Sequence, residues 1–463
     1  MSRSVDIKTE ALLPLTESQS HITKKPSILL RCHIFIMILL STRRGQLYLV
    51  IFFIAVTSVF SLLVVPHWVY AIWTTYPPLY EEYHRMDLAL PQHDPSLPSP
   101  EGRNGKYLLV SSRLEKQGWG NDMQELVLDA YLAHKAGMAF VFDNYTWSRH
   151  GPEYSRYNTN LIPSRIPLSV LIAGPIVGGS FPNGDVSPRS VREEYFRQVC
   201  PNPAKIKGKE VTDQYVWGST TILVEKWLEK FASVNNRCIE IVEGSGEPFT
   251  FWTFGTTNVL DIWPDLVKSP MLTAFVGRIS ELEMYPYTTF PGLLVLQVRR
   301  GDFDKHCNFL FKYKANWHGL NKFPQFPDQF TPAQGEPTAS SRAEHMKRCY
   351  PTPKQIAARV QEILQTDAGK SLDNVYIMTN GKKDFIAEVK EEVGRLRNWK
   401  FLRSSRDIVV DHEQVYVKQA IDMLIGLRSD VIIGNGWSSM SSNIAMLRMA
   451  LLPDLPPDHT RYW

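Results

Sequence analysis

Arg299, Arg300 and Asp302 follow directly after a short, mostly apolar run at 293–298. The run is too short for a helix and is bounded by glycines, which predicts a strand buried on both faces. In an open parallel sheet, ligands bind beyond the carboxyl ends of the strands, where these charges would stand. Arginine suits phosphate because its planar group stays charged and donates two parallel hydrogen bonds. The alternative is a strand end whose charges only solvate it and pair with each other.

A second polar stretch, Gly434 to Ser442, is rich in glycine and serine. It follows a predicted strand at 431–434 and opens a predicted helix at 438–450. Hydroxyls and backbone N–H groups at a helix start can hold a diphosphate. Ordinary N-capping is the alternative, but it accounts for one serine well and for four poorly. We favour a ligand site that includes Gly434, Asn435, Ser438 and Ser439.

A glycine turn at 118–121 lies between a predicted strand at 107–111 and a predicted helix at 122–136. Another strand is predicted at 138–142. The turn presents backbone N–H groups at a helix start, where an anion or a polar ligand can bind. Glycines at such a turn can equally be structural.

From residue 352 onward, predicted helices and strands alternate regularly. The helices are predicted at 352–364, 384–396, 414–427 and 438–450, and the strands at 375–379, 399–402 and 431–434. Such alternation predicts a parallel sheet covered on both faces. Together with the glycine-turn unit, it predicts an α/β fold of two Rossmann-like domains, at 106–290 and 291–463.

An uncharged apolar run, Leu47 to Val65, is about long enough to cross a bilayer of roughly 30 Å. Arg43 and Arg44 precede it and aromatic residues follow it, which predicts a cytosolic tail, 1–46, and an uncleaved signal anchor, 47–73. A buried core helix is the alternative. The next segment, 74–105, is rich in proline and is predicted to be an extended stem.

A second apolar segment, Ile28 to Leu40, is short and is interrupted by Arg31 and His33. We interpret it as interfacial or membrane-adjacent. If it also crossed the bilayer, the large C-terminal part would return to the cytosol.

The composition is that of a globular chain with balanced charge. Of the 463 residues, 44% are hydrophobic, which is typical of a folded core. The net charge of +4 lies within residues 1–45, which hold seven Lys/Arg and three Asp/Glu. The rest of the chain is balanced, which argues against a nucleic-acid partner.

Four cysteines lie in the two predicted domains, two in 106–290 and two in 291–463. Across a membrane we expect disulfides, and we pair Cys307 with Cys349, and Cys200 with Cys238, although four cysteines allow three connectivities. A zinc site is the alternative for the insert 303–353, which we predict to be irregular, but no CxxC spacing supports it. Asn144 begins a glycosylation sequon, which has meaning only in a lumenal domain.

Three motifs, in this order and behind a signal anchor, resemble those of the GDP-fucose-dependent O-fucosyltransferase superfamily. This superfamily includes the protein O-fucosyltransferases and, more distantly, the α1,6- and α1,2-fucosyltransferases. The first motif is Gly118-Trp119-Gly120-Asn121 with Gln124. The second, Gln297 to Asp302, matches His-x-Arg-Arg-x-Asp except at its histidine. The third combines Asp422, Ile433-Gly434-Asn435, Ser438-Ser439 and Arg448.

The resemblance implies a membrane-anchored, fungal-type enzyme with two facing Rossmann-like domains, the GT-B type of glycosyltransferase. It implies an inverting, metal-independent transfer of fucose from GDP-fucose, a substrate rather than a cofactor, to a protein or glycan hydroxyl. Domain 106–290 would lie on the acceptor side and 291–463 would bind the donor. The implied location is the Golgi or endoplasmic reticulum membrane, as a single-pass type II protein with a lumenal catalytic domain.

The resemblance also implies roles for individual residues. Arg299 would stabilise the charge that develops on the β-phosphate, and Asn121 would reach the donor or the acceptor. The remaining donor-binding residues would be Arg300, Asp302, Ser438, Ser439, Gly434, Asn435 and Gly120. Glu115 and Asp122 are candidates for the general base, and neither is assigned.

Gln297 stands where the family motif has histidine. This difference bears on the identity of the donor sugar more than on the fold. One alternative is therefore a transferase of the same fold that uses another nucleotide sugar. Another is a catalytically silent lumenal protein that binds a glycan or glycoprotein.

Overall fold

The structure is a computed structural model. It describes residues 43–44, 46–48, 50–59, 76–111, 113, 115–157, 160–215, 218–242, 259–274, 276–277 and 289–463. The chain divides into two compact units, Met1–Tyr76 and Pro77–Trp463.

The described residues of the first unit from 43 to 59 are helical, and their apolar side chains are exposed. Across the described part of the chain, no helix combines the length and the apolar character that a membrane crossing needs. Residues 60–75, which include the second half of the predicted anchor, lie outside the described residues, as does Ile28 to Leu40.

Two five-stranded parallel sheets organise the second unit, which confirms the predicted α/β class. In spatial order, the first sheet contains Val191–Arg192, Ala139–Phe142, Tyr107–Val110, Cys238–Ile241 and Ala204–Ile206. The second contains Phe401–Ser404, Asn374–Thr379, Phe290–Val298, Ser429–Gly434 and Thr460–Tyr462. Three short antiparallel pairs accompany them: Tyr145–Thr146 with Arg165–Ile166, Tyr154–Tyr157 with Asn160–Pro163, and Ile172–Ala173 with Val276–Gly277.

The described helices of the second unit connect and cover these strands. Those of seven residues or more are Glu81–Leu88, Trp119–Lys135, Glu193–Val199, Lys209–Tyr215, Thr220–Ala232, Phe303–Lys312, Ala339–Cys349, Pro353–Leu364, Lys383–Gly394, Lys418–Arg428 and Ser439–Leu451. Single turns occur at Leu168–Leu171, Trp263–Leu266, Pro270–Thr273 and Asp367–Lys370.

The strand Phe290–Val298 lies at the centre of the second sheet, and both of its faces are buried. Leu294 and Leu296 pack in one apolar cluster, while Leu293 and Val295 pack in another on the opposite face. Burial on both faces explains why the strand is almost continuously apolar. In chain order, the strands of this sheet lie 3-2-1-4-5, so the strand order reverses beside Phe290–Val298.

The predicted extended stem is folded instead. Residues Glu81–Leu88 form a helix within the second unit, and Tyr80 and Gln92 are buried. The Gln92 side-chain amide donates hydrogen bonds to the carbonyls of Gly178 and Ser190, at 2.9 and 2.7 Å. The prediction relied on the density of prolines, which restricts the backbone but does not prevent burial of the residues between them.

Two further boundaries differ from the prediction. The insert 303–353 is not wholly irregular, because Phe303–Lys312 and Ala339–Cys349 are helices. The glycine turn is also shorter than predicted, because the helix starts at Trp119 and the second glycine lies in its first turn. Sequence periodicity places helix ends poorly, since the first turn needs few intrahelical contacts.

The disulfide Cys307–Cys349 joins the two helices of this insert, and a second disulfide joins Cys200 to Cys238. These are the pairs that we favoured from the sequence. The separation of 42 residues between Cys307 and Cys349 means that their bond restricts a long loop in the unfolded chain.

Replacing both Cys307 and Cys349 with serine should lower the free energy of unfolding by about 2–4 kcal/mol, because the unfolded chain regains loop entropy. Denaturant unfolding under oxidising conditions measures this change. Cys32→Ser is the matched control, since Cys32 belongs to neither disulfide. Equal stability of the double variant and the control would contradict the prediction.

Candidate functional site

A cavity of about 710 Å³ lies at the ends of the two central strands. Its lining includes Gly118 to Asn121, which follow the strand Tyr107–Val110, and Arg299, which follows Phe290–Val298. Trp437 to Met440, which follow Ser429–Gly434, also line it. The cavity therefore occupies the crevice at the point where the strand order of the second sheet reverses, the usual ligand position in such sheets.

Two helices start at this cavity, Trp119–Lys135 and Ser439–Leu451. The Asn443 side-chain amide donates to the Gly120 carbonyl at 2.8 Å, and Gly120 lies against Ser439 and Met440 in the first turn of the other helix. The first N–H groups of a helix have no acceptor within the helix, and the helix dipole makes this end partly positive. Two such ends at one cavity form a favourable site for an anion such as a diphosphate.

Gln297 forms hydrogen bonds to the turn that precedes the helix Ser439–Leu451. Its side-chain carbonyl accepts hydrogen bonds from the Asn435 backbone N–H at 3.2 Å and from the Ser441 hydroxyl at 3.1 Å. Its amide group donates to the Ser438 hydroxyl at 3.3 Å. Gln297 is buried and contributes to the site by shaping this turn.

The hydroxyl of Ser438 does not cap its helix, although Ser438 occupies the N-cap position. Ser438 and Ser439 both line the cavity, whereas the Ser442 hydroxyl accepts a hydrogen bond from the Leu320 N–H at 2.9 Å. The serines of this stretch therefore divide into two that face the cavity and two, Ser441 and Ser442, that stabilise the surrounding loops.

Arg299 lines the cavity with its guanidinium group over the ring of Phe303, 4.9 Å from the ring centre. The Asp302 carboxylate lies 4.0 Å from it and is mostly exposed. Burial lowers the pKa of Arg299 from its ordinary value, and Asp302 opposes this shift. Arg299 thus supplies a partly desolvated positive charge beside the two helix starts.

Arg300 points elsewhere, contrary to the expectation that it would bind the donor. Its guanidinium carbon lies 4.1 Å from the ring centre of Tyr350 and 3.8 Å from that of Phe385, and it donates to the Pro351 carbonyl. Burial lowers the pKa of Arg300 to about 10. This side chain is part of the packing between helices and does not line the cavity.

The two candidate bases are also outside the cavity lining. A Glu115 carboxylate oxygen accepts from the Arg149 backbone N–H at 2.6 Å. Asp122 is buried, which raises the pKa of its carboxyl group, and the charge of Arg113 partly offsets that rise. The structure therefore brings Gly120, Asn121, Arg299, Asp302, Ser438 and Ser439 together at the cavity, and leaves Glu115, Asp122, Arg300, Gly434 and Asn435 outside its lining.

Asn144, the sequon residue, is partly buried beside the first sheet. Its side-chain oxygen accepts a hydrogen bond at 3.1 Å from Arg192, which is fully buried. The Thr146 hydroxyl of the same sequon donates to the Asn144 carbonyl at 2.9 Å. Both sequon side chains therefore have structural contacts.

The sequence analysis missed several residues of the cavity. His306 and Phe303 line it from the helix Phe303–Lys312, and three aromatic residues line the first-sheet side: Tyr145, Trp147 and Tyr157. A helix predicted from 303 would have placed His306 one turn beyond Phe303, on the same face of the helix. Among the described residues, no group of three or more His, Cys, Asp or Glu side chains is arranged to hold a metal.

No protein-family model matches the chain, and no curated protein matches it. Among solved structures, a crystal structure of POFUT1 in complex with GDP-fucose matches with a TM-score of 0.49 and 15% identity, over 77% of this chain and 97% of that chain. POFUT1 in complex with GDP matches with a TM-score of 0.47 and 14% identity, over 77% and 98%. The apo form matches with a TM-score of 0.43 and 14% identity, over 77% and 97%. The two ligands are those of POFUT1, and an identity of 15% does not transfer them to this chain.

Two residues of the third motif, Asp422 and Arg448, lie on the helices Lys418–Arg428 and Ser439–Leu451, beside the second sheet. The Asp422 carboxylate accepts hydrogen bonds from the Tyr376 hydroxyl at 2.6 Å and from the Ser405 hydroxyl at 3.0 Å. Arg448 is buried and donates to backbone carbonyls, including that of Ser429 at 2.6 Å. Both residues fix the strands and helices that surround the cavity.

Asp422→Asn should change how stability depends on pH. Burial raises the pKa of Asp422 from 3.8 to about 6, against the hydrogen bonds that favour the ionised form. The native state therefore holds this proton more tightly than the unfolded state. The contribution of Asp422 to stability should fall as pH rises from about 4 to 6, by about 3 kcal/mol at most.

The asparagine cannot ionise, so the stability of Asp422→Asn relative to the wild type should increase over this pH range. Urea unfolding at several pH values measures this difference. The exposed Asp458→Asn is the matched control. A difference that stays constant from pH 4 to 6 would rule out the raised pKa.

Gly120→Ala should separate the two helix starts. A Cβ atom at this position would lie 2.7 Å from the Ser439 hydroxyl oxygen and 3.0 Å from the Met440 backbone nitrogen. We expect a loss of about 1–3 kcal/mol in the free energy of unfolding, as for other overpacked sites. Gly118→Ala is the control, because a Cβ there meets nothing within 4 Å, and it should cost less than about 1 kcal/mol. Equal losses in the two variants would refute the close contact.

Proposed function

We propose that this chain is a glycosyltransferase that transfers fucose from GDP-fucose to a hydroxyl of a protein or glycan, with inversion and without a metal. The observation that carries this proposal is the convergence of Arg299 and two helix starts on one cavity. The three sequence motifs support GDP-fucose as the donor, because their residues flank the same cavity or hold its walls.

The proposed chemistry needs a fixed positive environment. When the bond between the sugar C1 and the phosphate oxygen breaks, negative charge develops on the β-phosphate. Arg299 and the N–H groups of the first turns at Gly120 and Ser439 would stabilise that charge. The hydroxyls of Ser438 and Ser439 would hold the diphosphate, and Asp302 would orient Arg299.

The two sides of the cavity differ in chemistry, and we propose that one binds the donor and the other the acceptor. The charged and hydroxyl groups come from the region 291–463, which we propose to bind the donor. Asn121 and the aromatic residues Tyr145, Trp147 and Tyr157 come from 106–290, which we propose to bind the acceptor. The acceptor would then approach C1 from the side opposite to the diphosphate, as inversion requires.

We further propose that the chain is a single-pass type II membrane protein with its catalytic domain in the lumen of the Golgi or endoplasmic reticulum. The uncharged run at 47–65, preceded by arginines, supports an anchor. The two disulfides support an oxidising compartment.

Thermal unfolding of the purified full-length chain with GDP, GDP-fucose, GDP-mannose and UDP, with and without a chelator, tests the donor. A ligand at 100 times its Kd should stabilise the native state by about 2.7 kcal/mol. We expect stabilisation by GDP and GDP-fucose that persists with chelator. A response to UDP alone would favour another nucleotide sugar. No response from a folded protein would favour the silent glycan-binding alternative.

Arg299→Ala should weaken GDP binding by about 10- to 150-fold, the range for losing a hydrogen bond to a charged group. Turnover of GDP-fucose should fall by a further 10²- to 10³-fold, roughly, because the charge acts most strongly on the transition state. Arg403→Ala is the control, an exposed arginine of the same sheet that does not line the cavity. Near wild-type turnover in Arg299→Ala would exclude the assigned role.

A further inference from the structure

His306 occupies the cavity close to Arg299. The helix Phe303–Lys312 follows directly after the arginine strand, and Arg299, Phe303 and His306 all line the same cavity. Phe303 and His306 are three residues apart on this helix and lie on the same face, and the Arg299 guanidinium packs over the ring of Phe303. His306 is half-buried, so one edge of its ring can meet a bound substrate.

Aromatic neighbours fix the ring of His306. The ring centre of Phe303 lies 5.1 Å away, and Phe309 stacks nearly parallel to the imidazole, with ring centres 6.3 Å apart. Neither ring nitrogen makes a hydrogen bond to any residue that the structure describes. The ring therefore packs beside Phe303, and its nitrogens stay available to a ligand.

The charges around His306 favour the neutral imidazole. Burial and the positive charge of Arg299 lower the pKa of His306, and the Asp302 carboxylate raises it by a smaller amount. His318 also interacts with it electrostatically. Because the pKa lies below the ordinary value of 6.5, His306 is mainly unprotonated at pH 7 and can accept a proton.

The other titratable groups of the cavity are less suited to this task. Burial raises the pKa of the phenols of Tyr145 and Tyr416, so both keep their protons near neutral pH. The Asp302 side chain is 82% exposed and is the counterion of Arg299. If Asp302 took up the proton, Arg299 would lose this counterion. Glu115 and Asp122 do not line the cavity.

We propose that His306 is the general base that activates the attacking hydroxyl group. This inference rests on the proposed glycosyl transfer. The acceptor hydroxyl gives its proton to an unprotonated ring nitrogen of His306 as its oxygen forms a bond to C1 of the sugar. The bond from C1 to the β-phosphate oxygen breaks, and GDP leaves with that electron pair beside Arg299. The imidazolium ion then releases its proton to water, which restores the neutral ring.

His306→Asn in the full-length chain tests this role through hydrolysis of GDP-fucose, in which water replaces the acceptor. We expect kcat to fall by about 10²- to 10⁴-fold, the usual contribution of a general base, with a much smaller change in KM. The kcat/KM of the wild type should fall at acidic pH, with a midpoint below 6.5, because protonated His306 cannot accept a proton. The variant should lack this acidic limb.

The exposed His150→Asn is the matched control and should keep the wild-type rate and pH profile. GDP-dependent stabilisation of His306→Asn shows that the variant is folded and binds nucleotide. If that variant does not fold, His306→Ala with added imidazole replaces it, and imidazole should restore part of the rate.

The outcomes separate this inference from the proposed function. A wild-type chain that hydrolyses GDP-fucose, with a His306→Asn variant within threefold of it and an unchanged acidic limb, would overturn the base role alone. A wild-type chain that neither binds nor turns over any nucleotide sugar would overturn both the proposed function and the base role.

Discussion

The cavity depends on the direct contact between the first turns of two helices, Trp119–Lys135 and Ser439–Leu451. Helix ends with like partial charges repel each other, so their approach needs short-range contacts that offset this repulsion. Asn443 supplies one through its hydrogen bond to the Gly120 carbonyl. His318 adds an indirect link, because its ring bonds to the Gln124 side chain at 2.8 Å and its backbone N–H donates to the Gly436 carbonyl at 2.7 Å. Gly120 is needed at the contact because a Cβ atom would enter the space of Ser439. The remaining positive potential is then directed into the cavity.

Gln297 stands where the motif that this segment resembles has a histidine. A neutral imidazole has one donor and one acceptor, and a side-chain amide has both kinds of group as well. Gln297 uses its donor on Ser438 and its acceptor on Asn435 and Ser441. Because Gln297 bonds to this turn, replacing Gln297 with histidine would first change the position of Ser438 and Ser439.

Sequence patterns predicted the parts of the fold that depend on local periodicity. The alternation after residue 352 gave strands and helices close to those observed, and Thr352 caps its helix with Gln355 as its position suggests. Side-chain direction at the strand end was not predictable, because Arg299 and Arg300 are adjacent and only packing against Tyr350 and Phe385 turns the second away. His306 was missed for a different reason: its segment was interpreted as irregular, although Phe303, Cys307 and Leu310 recur at helical spacing.

The disulfide Cys307–Cys349 connects the two parts of the candidate site. Cys307 follows His306 directly, and the Cys349 carbonyl accepts a hydrogen bond from the Asn435 side chain at 2.8 Å. A disulfide followed by one hydrogen bond thus links the helix that carries His306 to the turn that carries the cavity serines. Proton transfer and charge stabilisation both require distances held within fractions of an ångström. In the proposed reaction, the disulfide would therefore help to hold His306 at a fixed distance from the cavity serines.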